Sequence, residues 1–154
     1  MRQTRIAVVW VSVVAVSIAT ASVAVAKPTI KELMGENFAG LQTILVSLIN
    51  SNYAAVPAQA DIIRDHATQL TEAVPASAQS DRDRFLGLAL SLKTHAESLK
   101  EISEILTRHD REELAKVGDL GIDQLRESLA AHYGGMVVTC VACHNQFRRH
   151  PVAK

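Results

Sequence analysis

Phe85, Leu88, Leu92, Ala96, Leu99, Ile102 and Leu106 step by three and four along one stretch of a 154-residue chain. That spacing puts every one of them on one face of a single long helix. A helix with one apolar face must lay it against other helices or a sheet. The rest of the chain offers helices. After Pro28, Thr29 and Glu32 have the spacing of a capping box, and Met34, Phe38, Leu41, Leu45 and Leu48 follow at helical intervals. A second helix is expected over about 55–72 on Val56, Ala60, Ile63, Ala67 and Leu70. A fourth carries Leu125, Leu129, Met136, Cys140 and Phe147 inward and stops at Pro151.

The breaks fall at Asn50-Ser51-Asn52, at Val74-Pro75-Ala76-Ser77 and at Gly118 to Gly121, and Ser80 or Asp81 is placed to cap the third helix. No segment alternates as a strand does. Apolar residues make up 48% of the chain but aromatics only 4%, so the core is built from Leu, Ile, Val and Ala. The predicted fold is all-α, an antiparallel four-helix bundle. Gly134-Gly135 interrupts the fourth helix, and each glycine there costs about 1 kcal/mol relative to Ala. A close approach by another backbone or a ligand is the expected reason.

The first 26 residues read as a secretory signal peptide: Arg2 and Arg5 in the n-region, an apolar run from Ile6 to Val25, and Ala24-Val25-Ala26 as the cleavage site. An uncleaved anchor is the other reading of such a run. The domain proper is expected over 27–154, exported to the periplasm or beyond and free of the membrane after cleavage. Sixteen basic residues balance 16 acidic ones, which leaves no electrostatic footprint for nucleic acid.

Cys140 and Cys143 are the only cysteines, and His144 follows the second directly. A disulfide is open to an exported pair. A redox dithiol of the thioredoxin kind belongs to an α/β fold, which the pattern lacks. Structural zinc wants four ligands, normally from two paired motifs, and His66, His95, His109 and His132 show no second metal spacing. C-x-x-C-H is the attachment pattern of c-type haem. The two thiols form thioethers to the macrocycle, and His144, four residues after Cys140 on the same helix face, becomes the proximal iron ligand. One covalently attached haem c is the favoured expectation.

With its leader, its four helices and "CVACHNQFR" in the last of them, residues 27–149 resemble the cytochrome c prime group of four-helix-bundle cytochromes. The resemblance implies that Arg148, four residues after the proximal histidine, lies close to the haem, and that Phe147 packs near the ring. It also implies a sixth iron position supplied from the first helix. High-spin relatives put an apolar side chain there and bind small gases such as nitric oxide; low-spin relatives put a methionine there and carry electrons.

"MGENF" offers both: Phe38 as a distal apolar residue and Met34 as a ligand, one turn apart. A methionine thioether is a soft ligand that favours reduced iron; His95 is a further possibility. The favoured reading is a His/Met electron carrier and no enzyme, since Glu36, two residues from Met34, points to another side of its helix. A redox partner protein is implied, and Val46, Ile49 and Ile62 are candidates for a homodimer seam.

Overall fold

Thr29 starts the first helix. Its hydroxyl accepts from Glu32 N at 3.3 Å, and the Glu32 carboxylate accepts from Thr29 N at 2.7 Å, a reciprocal capping box. These bonds hold the Glu32 carboxyl below its ordinary range. The helix they open, α1, spans Ile30–Ile49. Just past it Ser51 adopts a left-handed φ of 54°, and Asn52 N bonds Ser47 O at 2.8 Å, the closing bond of a Schellman-type stop.

The computed structural model describes residues 28–72, 74–109 and 119–147; the signal-like segment 1–26 and Arg148 lie outside them. A 3-10 turn at Tyr53–Ala55 leads into α2, Val56–Glu72. A second 3-10 turn, Ala76–Asp81, runs directly into α3, Arg82–His109, and α4 spans Asp119–Phe147. Two local expectations are corrected. Neither Ser80 nor Asp81 caps α3, because the 3-10 turn delivers the chain already wound, and Asp81 Oδ2 instead accepts from Gln146 Nε2 on α4. Gly121 lies inside α4 rather than in a turn before it.

Among the described residues there is no strand, and the four α-helices pack on one another. Ile44, Val56, Ala60, Ile63, Ala67, Ala96, Leu99, Leu129 and Met136 form the centre of the main core. A second cluster joins Leu33 at the start of α1, Leu70 near the end of α2, and Phe85 and Ala89 early in α3, with Cys143 and Phe147 from the end of α4 packed against it. Burying a side chain such as Leu99 contributes about 1.5–3 kcal/mol. A half-buried ion pair, Lys100 Nζ to Asp61 Oδ2 at 2.8 Å, ties α3 to α2. No described helix is long and apolar enough to cross a membrane.

The inward faces expected for α2 and α3 are observed. The face expected for α1 is not. Leu33, Asn37, Gly40, Leu41, Ile44 and Ser47 are the buried set, whereas Phe38 is 64% and Leu45 41% exposed. Only Leu41 belongs to both. α1 carries two apolar stripes, and on the one with the larger side chains Phe38 and Leu45 face away from the core while Met34 and Leu48 pack only at its edge. Gly40 lies on the buried stripe, where a Cβ would just meet the Ile63 side chain at 3.4 Å.

Candidate functional site: a groove between two helices

α4 packs closely along α3 but scarcely touches α1. Between α1 and α4 lies an apolar groove of ≈ 930 Å³, counting space open to solvent. Met34, Phe38, Leu41 and Leu45 form its α1 wall; Tyr133, Val137, Cys140, Val141 and His144 form its α4 wall. A narrower crevice of ≈ 320 Å³ continues from it toward Phe85 and Leu88, and Met34, Cys140, Cys143 and His144 border it. The stripe missing from the core of α1 is thus the wall of the groove. Large side chains left exposed on facing helices mark a place that an apolar partner covers.

The helical turn Cys140–His144 presents this chemistry because residues four apart share a face. His144 is exposed, and both thiols are half-buried and free. Burial, then the neighbouring Cys143, pushes the Cys140 thiol up; burial pushes up Cys143. A redox-active C-x-x-C works the other way, with a lowered thiol that supplies thiolate at neutral pH. Among the described residues no group of three or more His, Cys, Asp and Glu gathers as a zinc site would require.

Met34 and Phe38 both reach the groove, but not equally. Met34 borders both hollows beside Cys140 and His144, while Phe38 lines only the wider one. Phe147 is half-buried behind Cys143 and packs edge-to-face on Phe85, ring centroids 5.3 Å apart. It stands at the back of the site, off the groove wall. His95 borders neither hollow: its Nδ1 lies 3.2 Å from His132 Nδ1, between α3 and α4. Gly135 explains that placement, since a Cβ there would come within 2.5 Å of the His95 ring. The close approach is made at Gly135 alone and by a side chain, not by the backbone or ligand that the paired glycines led one to expect; a Cβ on Gly134 would meet nothing within 4 Å.

One contributor escaped the sequence reading. Asn37, only 2% exposed, lies on the groove-lining turn of α1 and bonds through Oδ1 to His66 Nδ1 at 2.7 Å. His66 Nε2 in turn faces Glu36 Oε2 at 3.1 Å. Asn37 Nδ2 is buried without a partner among the described residues. Buried donors are normally satisfied. The available signal was an amide at helical spacing between Leu33 and Leu41.

These features fit a haem. The groove is apolar, Cys140 and His144 stand on one wall with Cys143 on the adjoining crevice, a thioether stands on the other wall, and an orphaned amide donor suits an occupant with acceptors of its own, as porphyrin carboxylates are. Comparison with known proteins adds nothing to this: no protein-family model, no curated protein and no solved structure matches the chain.

Proposed function

We propose that the chain is an exported electron carrier: an antiparallel four-helix bundle with one haem c held by Cys140 and Cys143 on α4. One observation carries this reading. Met34 from α1 shares both hollows with Cys140 and His144 from α4. The antiparallel order is supported by contacts that run in opposite sense along neighbouring helices. Asn37 meets His66 and Gly40 meets Ile63, while Phe85 meets Phe147 and His95 meets His132. Export is supported by the leader pattern of 1–26 alone.

The haem, when bound, supplies a one-electron couple. The residues supply its environment. Cys140 and Cys143 anchor it, His144 is the proximal ligand, and the soft thioether of Met34 favours the reduced state. Phe38, Leu45 and Val141 exclude water from the groove, and Asn37 Nδ2 offers it a donor. Glu36 is occupied with His66 outside the groove, which supports a carrier over an acid–base enzyme. The partner is a redox protein. A second copy is also proposed, through Val46, Ile49 and Ile62, which are 58%, 73% and 40% exposed.

Phe38, large and exposed on the groove wall, favours one other reading: a five-coordinate cytochrome that binds nitric oxide or another small gas, with Phe38 as gate and Met34 as packing. The oxidised visible spectrum separates the two. Wild type is expected to be low-spin with a far-red sulfur-to-iron band, and Met34→Ala to lose that band and become high-spin. Identical high-spin spectra from both proteins would replace electron transfer by gas binding.

A further inference from the structure

We propose that His95 and His132 form a two-imidazole site for a divalent transition-metal ion of the zinc or copper class, bridging α3 and α4. The site lies away from the groove and is independent of what the groove holds. Its basis is a distance. Metal–imidazole bonds of 2.0–2.1 Å put two ligand nitrogens roughly 2.9 Å apart on a right-angled ion and roughly 3.4 Å apart on a tetrahedral one. The two Nδ1 atoms are 3.2 Å apart, inside that window. The rings are tilted by 59° with centroids at 5.4 Å, so they are not stacked and meet through their nitrogens.

A second feature holds them there. His132 and Gly135 are three apart, hence on one face of α4. A Cβ on residue 135 would come within 2.5 Å of the His95 imidazole. The missing side chain admits that ring beside His132. Burial, and then the nearness of His95, lower His132, which keeps it in the neutral form that binds metals.

Without metal, one ring donates its Nδ1–H to the other. With metal, the donor ring moves that proton to Nε2, and both Nδ1 lone pairs go to the ion, so no proton is lost or gained. Among the described residues no third His, Cys, Asp or Glu joins the pair in a cluster. Water completes the coordination. Imidazole nitrogen suits zinc, copper and nickel.

The test is a Zn²⁺ titration of the full chain with its thiols capped, by haem or by alkylation, followed by calorimetry. Loss of even an outer partner of a metal ligand costs about 10–100-fold in affinity, so His95→Gln and His132→Gln are each expected to weaken binding by at least about tenfold. A wild type that takes up no Zn²⁺, or variants that bind as tightly, would reduce the pair to an interhelical hydrogen bond. Should either variant fail to fold, the wild type still decides. Cu²⁺ added in equimolar amount is expected to show electron-spin coupling to two imidazole nitrogens, and coupling to fewer would overturn the site.

Discussion

The two flanks of α4 differ. Toward α3 it is closed: the His95 ring sits over Gly135, Ser91 donates to Thr139 Oγ1 at 3.3 Å, and Thr139 donates on to Gly135 O at 2.8 Å. Toward α1 it is open, and Phe38, Leu45 and Val141 remain exposed across an apolar groove. One helix therefore carries a seam the protein completes by itself and a seam it leaves open, the one proposed to hold the haem. Cys140 and His144 border the second.

If that division is right, substitutions on the two flanks cost different amounts in haem-free protein. Leu99→Ala, in the closed core at 0% exposure, is expected to lose about 2–5 kcal/mol. Phe38→Ala is expected to stay within about 0.5 kcal/mol, as exposed positions do. Urea unfolding of both variants measures this, and a loss of several kcal/mol at Phe38 would mean that the open flank already contributes to the core.

The adjacent glycines sharpen the contrast. A Cβ on Gly134 meets nothing within 4 Å, so Gly134→Ala is expected to stabilise by about 1 kcal/mol through helix propensity. Gly135→Ala gains the same propensity but displaces the His95 ring, an overpacking cost of about 1–3 kcal/mol. The second variant should melt below the first. Equal melting temperatures would show that His95 swings aside freely.

Acid probes the closed flank more gently. His132 lies below its usual 6.5 in the folded state, through burial and then His95. The unfolded chain binds the proton more readily, so this contribution is whole above the unfolded value and is lost as pH falls through the lowered folded one. Wild type is expected to lose more melting temperature between neutral and mildly acid pH than His132→Gln does. Parallel curves would remove His132 as a source of acid sensitivity.

Much of this was legible in advance. The Thr29–Glu32 capping box and the inward faces of α2 and α3 follow from spacing alone. The orientation of α1 does not. Its larger stripe, Met34–Phe38–Leu45, outweighs Leu33, Asn37, Gly40 and Ile44 in hydrophobicity, and spacing cannot tell a stripe meant for the core from one meant for a groove. The buried stripe is the one that meets α2, with Gly40 against Ile63 and Asn37 against His66, contacts between helices that no local pattern contains. The role of His95 was hidden for a like reason. Its partner stands 37 residues away on another helix.

The most direct test of haem attachment at Cys140 and Cys143 is the visible absorbance of the chain after expression with haem-attachment machinery, denaturation and removal of small molecules. Haem c predicts a Soret band that stays with the denatured polypeptide and disappears in a Cys140→Ser, Cys143→Ser double variant. A colourless wild-type polypeptide, with its pigment lost to the small-molecule fraction or never acquired, would contradict the covalent haem and the electron-carrier function built on it.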